Sequence, residues 1–250
     1  METDPVVVVT GSSRGIGAAT AKLLGESGYA VCVTYRSNEA AAQDVLAGLE
    51  KRRVRAIAVQ ADVSEEADVI RLFERIDREL GRVTALVNNA AIVLPKARLE
   101  DMDAARINRM LATNVTGCFL CCREAVRRMS TKHGGKGGTI VNVSSAAARI
   151  GSPGEYIDYA ASKGAVDTLT RGLALEVAGE GIRVNCVRPG FIYTDMHADG
   201  GEPGRVDRLA STVPLGRGGT PAEIAHAIRW LLSDEASYAT GTFIDLAGGR

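Results

Sequence analysis

Short runs of Val, Ile and Ala, with little polar alternation, recur along the chain between longer stretches of helical character. The runs Val6 to Thr10, Val31 to Tyr35, Ala56 to Gln60, Ala85 to Asn88, Thr139 to Val143, Arg183 to Val187 and Thr242 to Leu246 read as strands. Strands this apolar on both faces belong to parallel sheets covered by helices on each side. The segments Ile16 to Ser27, Glu39 to Lys51, Glu66 to Leu80, Leu111 to Met129, Tyr159 to Ala178 and Pro221 to Leu232 are helix-length. Strand and helix alternate from end to end, which predicts βαβ units and an α/β, doubly wound parallel sheet. Right-handed crossovers then place a ligand crevice at the carboxyl ends of the strands.

Local punctuation agrees with this pattern. Thr220-Pro221-Ala222-Glu223 has the N-cap Thr, the Pro at the first helical position and the Glu at the third that open a helix. Lys132 to Gly138 is a Gly/Lys-rich turn leading into the fifth strand. No internal repeat, low-complexity tract or linker composition interrupts the chain, so residues 1–250 read as one domain. Met196 to Arg205, with Gly200, Gly201, Pro203 and Gly204, reads as a mobile flap over the crevice, within a flap region near residues 194–215.

Composition narrows the partners. With 30 acidic and 30 basic side chains there is no global field to draw nucleic acid or anionic lipid. The start, Met1-Glu2-Thr3-Asp4-Pro5, is acidic where a secretory signal is basic, and Val6 to Val9 is too short to span a bilayer. A soluble, cytoplasmic protein is expected. Five cysteines in no disulfide framework fit a reducing compartment. The CxxC of Cys118 and Cys121 lies inside an apolar helical stretch and reads as core. His133, His197 and His226 form no ligand pattern, so no metal is expected.

Two groups of residues carry chemistry. Gly11, Gly15 and Gly17 follow a strand and open a helix, the context in which a glycine turn and helix N-terminus hold a pyrophosphate. The spacing is GxxxGxG, and no GK[ST] follows. The second strand ends Thr34-Tyr35-Arg36-Ser37 without the carboxylate that binds an adenosine ribose. Arg36 and Arg14 instead offer two cations to a 2′-phosphate, which predicts NADPH over NADH. Further on, Tyr159 and Lys163 stand at i and i+4 on one helical face. A free phenol ionises near pH 10. A lysine cation beside it, together with the charge of an oxidised nicotinamide, favours the phenolate and suits it to proton exchange. Tyr156, with Ala160 at its i+4 position, lacks that cation. Upstream, Ser145 carries a hydroxyl of the kind that can hydrogen-bond a carbonyl oxygen and steady its developing charge.

Together these residues resemble the short-chain dehydrogenase/reductase family, in its single-domain branch, and the resemblance covers the whole chain. TGSSRGIG (Thr10 to Gly17, with Ser13, Arg14 and Ile16) is similar to the family's nucleotide turn, and Asp62-Val63 to its adenine contact. Asn88-Asn89-Ala90-Ala91 resembles the motif ending its fourth strand, with Ala91 where a glycine is usual. Asn114, Ser145, Tyr159 and Lys163 fall where the family places its catalytic tetrad. Pro189-Gly190, Ile192 and Thr194 fall in the segment that touches the nicotinamide. The stretch Ala146 to Asp158 is one residue longer than in many relatives, so Ser144 competes with Ser145 for the serine's role.

The resemblance implies a Rossmann fold with about seven strands in the order 3-2-1-4-5-6-7 and helices on both faces. It implies NADP-dependent hydride exchange with a carbonyl or secondary alcohol. In that scheme Lys163 also holds the nicotinamide ribose, and Asn114 holds a water relaying protons to Lys163. It further implies a homotetramer, with Leu111 to Met129 and Tyr159 to Ala178 at one interface. Pro221 to Leu232 and the last strand would form the other, and Trp230 and Tyr238 there are either anchors or core. A sugar or polyol dehydrogenase and a non-catalytic nucleotide sensor are the competing readings. The expected cavity lining of Ala91, Ile92, Val93, Ala146, Ala147, Phe191 and Met196, with His197 at the flap, favours a less polar substrate.

Overall fold

In the computed structural model, residues 4–250 are described, and Met1 to Thr3 of the acidic N-terminal stretch lie outside the described residues. Among these residues seven strands form one parallel sheet: β1 (Val6–Val9), β2 (Ala30–Tyr35), β3 (Ala56–Gln60), β4 (Val83–Asn88), β5 (Gly138–Val143), β6 (Ile182–Pro189) and β7 (Phe243–Leu246). Their order is β3-β2-β1-β4-β5-β6-β7, as the resemblance implied. β3 has the bounds read from the sequence, and the other strands differ from that reading by one or two residues at one end or both, since frayed ends carry no periodic signal.

The central strand shows why the runs lack polar alternation. Val6 and Val8 face one core, and Val7 and Val9 face the other. Helices α1 (Gly15–Glu26), α2 (Glu39–Glu50) and α10 (Pro221–Leu232) cover the Val7 face. Helices α3 (Glu66–Glu79), α5 (Gly117–Met129) and α7 (Ile157–Val177) cover the other. Leu72, Phe73 and Ile76 of α3 are sealed in that second core. Burying each such side chain favours folding by roughly 1.5–3 kcal/mol. All five cysteines are free and buried, with Cys118, Cys121 and Cys122 inside the α5 core. The capping box at Thr220 and Glu223 opens α10.

Two elements depart from the sequence reading. The segment Leu111 to Met129 is not one regular helix. Between α4 (Ala104–Leu111) and α5 it widens into a π turn over Ala112–Thr116. Asn114 sits in that turn, drawn inward by bonds to a loop far away in sequence. Helix α7 begins two residues earlier than expected, because the Asp158 carboxylate accepts from the Tyr159 N–H and satisfies the first turn from within.

The flap is not a bare loop either. It carries α8 (Met196–Asp199) and α9 (Arg205–Leu209), and α6 (Ala147–Ile150) lies across the cavity from it. Trp230 and Tyr238 are exposed, so neither belongs to the core. Among the described residues no helix is long and apolar enough to cross a membrane.

The chain runs outward from β1 to β3 and then returns to β4 on the other side of β1. At that reversal a crevice opens, with Gly11 after β1 and Asn89 after β4 both in its wall.

Candidate active site

The β1–α1 turn is held by bonds between backbone groups and short side chains. Gly11 N–H donates to the Thr34 hydroxyl at 2.9 Å, and Thr34 N–H donates to Ser12 Oγ at 2.9 Å. The Asn89 amide donates to the carbonyls of Thr10 and Gly11, both at 2.9 Å. Gly11 has a φ of +61°, and a Cβ there would lie 2.9 Å from Ala90 Cα. A Cβ on Gly17 would lie 2.5 Å from both the Asn89 amide and the Gly11 carbonyl. Helix α1 has no side-chain cap, so its first-turn N–H groups are open to an anion.

These features wall a cleft of about 380 Å³. Gly11, Ser13, Arg14, Gly15, Ile16, Arg36, Asp62, Val63, Asn89, Ala90 and Thr194 all line it. Gly17 does not; it is buried behind the turn and lets α1 close on Asn89. Ser37 and Asn38 extend the wall beyond Arg36, and no carboxylate of β2 reaches it. Asp62 is turned towards its own loop, accepting from the Ser64 N–H and hydroxyl. Arg14 pairs with Asp199 of α8 across the cleft mouth, both side chains about half exposed.

A second cavity of about 520 Å³ shares Ile16, Asn89, Ala91, Thr194 and Met196 with the first. Ser145, Tyr159, Lys163, Pro189, Gly190, Ile192 and Thr194 line this inner space. Lys163 is buried; its Nζ donates to Val143 O at 2.8 Å and lies 5.6 Å from the Tyr159 ring centre. Tyr159 itself is half-buried. Ser144 is buried, and its hydroxyl donates to Lys163 O at 3.1 Å. Ser145 is more open, its Oγ accepting from Ala147 N at 3.1 Å and lying 3.5 Å from Pro189 O. Both serines line the cavity; Ser145 is the more exposed, and the acceptor of its hydroxyl is 3.5 Å away, a longer bond than the one that holds Ser144.

The expected apolar wall is present, except that Ile92 faces the outer cleft. Ala91, in the place of a usual glycine, lines both spaces. His197 bonds Ile192 O at 3.0 Å, and burial holds its imidazole below the ordinary value. Tyr156 is buried, its phenol pushed up by burial, with the Arg205 guanidinium 4.8 Å from its ring. Arg205, Glu155 and Ile150 also line the cavity and carried no sequence signal. Each is brought there by tertiary packing of α6, α9 and the loop between α6 and α7.

Asn114 lines neither large space. Its Oδ1 accepts from Ile92 N at 2.8 Å, and its Nδ2 donates to Ile92 O at 3.0 Å and Ser162 Oγ at 3.1 Å. An amide so engaged has one Oδ1 lone pair left to offer a water. A cavity of about 10 Å³, roughly one water, does touch both Asn114 and Lys163. Among the described residues no three His, Cys, Asp or Glu side chains converge as metal ligands.

Comparison with known proteins places this geometry among relatives. The family described as enoyl-(acyl carrier protein) reductase matches residues 11–250. A protein of Escherichia coli described as the uncharacterized oxidoreductase YgfF is 62% identical over 98% of this chain and 99% of its own. The cis-4-hydroxycyclohexanecarboxylate dehydrogenase of Sinomonas cyclohexanicum is 41% identical, covering 98% of this chain and 95% of its own. A crystal structure of a short chain dehydrogenase from Burkholderia cenocepacia in complex with NADP superposes with a TM-score of 0.90. It is 33% identical and covers 99% of this chain and 98% of its own.

Proposed function

From the premise that the chain belongs to the short-chain dehydrogenase/reductase family, we propose that it is an NADP(H)-dependent reductase of a ketone or aldehyde, reversible towards the secondary alcohol. One observation carries this reading: Tyr159, Lys163 and Ser145 line a cavity that adjoins the glycine-turn cleft. The residues fit the cofactor. Open N–H groups at the start of α1 suit its pyrophosphate, Arg14 and Arg36 suit a 2′-phosphate, and Asp62-Val63 suits the adenine. The Burkholderia relative binds NADP. When bound, the nicotinamide supplies or accepts the hydride, and the protein provides orientation and electrostatics.

Tyr159 gives its phenolic proton to the carbonyl oxygen in reduction and takes it back in oxidation. Ser145 donates a hydrogen bond to that oxygen as negative charge grows on it. Lys163 spends one of its three N–H donors on Val143 O, leaving two for the nicotinamide ribose and a relay water. Asn114 positions the loop at Ile92 and borders the small cavity that reaches Lys163. Pro189, Gly190, Ile192 and Thr194 form the nicotinamide wall. The mainly apolar cavity lining favours a less polar substrate over a sugar. Buried free cysteines accord with a reducing, cytoplasmic setting. Leu111, Phe119 and Leu175 leave apolar surface exposed on α4, α5 and α7, which accords with a homotetramer.

The test is absorbance of NADPH and of NADH against a panel of ketones, oxo-esters and sugars, with Tyr159→Phe in parallel. NADPH-dependent turnover of a carbonyl, reduced at least ~100-fold in Tyr159→Phe, is expected. Equal turnover by the variant overturns the proton donor, and a sugar oxidised faster than any carbonyl is reduced overturns the direction.

A further inference from the structure

Asp158 immediately precedes Tyr159 and is buried at the start of α7, its side chain 3% exposed. One carboxylate oxygen accepts from the Tyr159 N–H at 2.9 Å. The other accepts from Arg106 Nε of α4 at 2.8 Å. Arg106 also donates from Nη1 to Pro95 O at 2.7 Å, on the loop whose earlier residues Ala91 to Val93 wall both cavities. A single arginine thus ties α4, the cavity wall and the backbone of Tyr159 together.

The remaining nitrogen, Arg106 Nη2, is buried with no partner. An unsatisfied donor is unfavourable, and buried ion pairs are poor sources of net stability. Stability alone is therefore a weak reason for this pair. Its location gives a better one. A lone carboxylate beside the tyrosine would oppose the phenolate, and a lone arginine would favour it. The other charged and titratable groups lining the cavity are Lys163 on α7 itself, Glu155 and Tyr156 before it, His197 on α8, Arg205 on α9 and Arg250.

We infer that Arg106 and Asp158 form a positioning pair for Tyr159, in which Asp158 anchors the tyrosine's backbone and Arg106 cancels the charge that this anchor brings. The inference rests on Tyr159 being the proton donor, and neither Arg106 nor Asp158 touches the substrate space.

The experiment is a near-ultraviolet difference titration of the intact apoenzyme, each protein measured against its own Tyr159→Phe counterpart so that only the Tyr159 phenol is seen. Arg106→Met, which strands the carboxylate, is expected to raise the ionisation midpoint by about one pH unit, the scale of one nearby charge. Asp158→Asn, which strands the guanidinium, is expected to lower it by a similar amount. The double variant returns it towards the parent value. Should Arg106→Met not fold, the step from Asp158→Asn to the double variant isolates the same arginine charge. Midpoints that do not move, or that move the same way in both single variants, overturn the inference. The titration needs no substrate. A failure of the proposed reaction would instead appear as full turnover by Tyr159→Phe and would leave this measurement to decide on the pair.

Discussion

The glycine turn on one side of the cleft is held by hydrogen bonds between backbone and short side chains and by steric necessity, whereas the flap opposite it is held by ion pairs. In the turn, Gly11, Ser12, Thr34 and Asn89 interlock through bonds of 2.9 Å, and their short side chains have less rotamer freedom to lose than Lys, Arg or Glu. In the flap, Glu202 gathers Lys96, Arg205 and Arg208, and Glu155 gathers Arg205 again. Long charged side chains of this kind are costly to order and are screened by salt. The comparison separates two tasks. The turn presents a ready-made surface to an anion, while the flap's position depends on charged side chains gathered from several elements.

The sharpest way to break the turn is Gly17→Ala. The added methyl would meet the Asn89 amide and the Gly11 carbonyl at 2.5 Å, and both are structural. A loss of about 3 kcal/mol is expected, the upper end of overpacking costs. That corresponds to a fall in melting temperature of roughly 6–12 °C for a chain of this size. NADPH binding, read by fluorescence titration, should fall with it.

The flap responds to acid instead. Bonds from Arg208, opposed by desolvation and joined by those from Lys96 and Arg205, hold the Glu202 carboxyl down to about 2. The ionised form is therefore favoured by folding, and its contribution is complete above the ordinary glutamate range. It fades as pH falls from that range towards about 2. Glu202→Gln should cost about 1 kcal/mol near neutrality, with the gap from the parent closing on acidification, as thermal melts at a series of pH values would show. A gap independent of pH would mean that the carboxylate is not the anchor.

Asp199→Asn touches a place where turn and flap meet. It frees Arg14 from an exposed pair worth at most about 1 kcal/mol. NADPH should bind about two- to threefold more tightly, with NADH unchanged, because only the former presents a 2′-phosphate. Equal tightening for both cofactors would place the effect in the flap and not in Arg14.

Sequence reading reached the turn more fully than the flap for the same reason that the two differ. Gly11, Gly15 and Arg36 announce themselves through spacing within one strand-turn-helix unit. Tyr159 and Lys163 do so through a single helical turn. Tyr156 shows the limit: its i+4 position holds Ala160, yet a cation does reach its ring, from Arg205 on a different element. Asn114 shows another. The segment's apolar pattern suits a plain helix, and the π turn arises from its bonds to Ile92, 22 residues away.

Residue order along the chain is sufficient for the strand-helix alternation, the glycine turn, the Tyr159–Lys163 pair and the choice of cations at the end of β2. Each depends on periodicity or on neighbours within a few residues, and such terms survive without knowledge of the fold. Only packing in three dimensions buries Ser144 against Lys163 O and leaves Ser145 more open. Packing also turns the flap into two short helices pinned by Glu155 and Glu202 and sets Arg106 under Asp158, 52 residues away. Those contacts join elements whose separation in sequence carries no pattern, and they exist only because the sheet brings the ends of β1, β4, β5 and β6 to one edge.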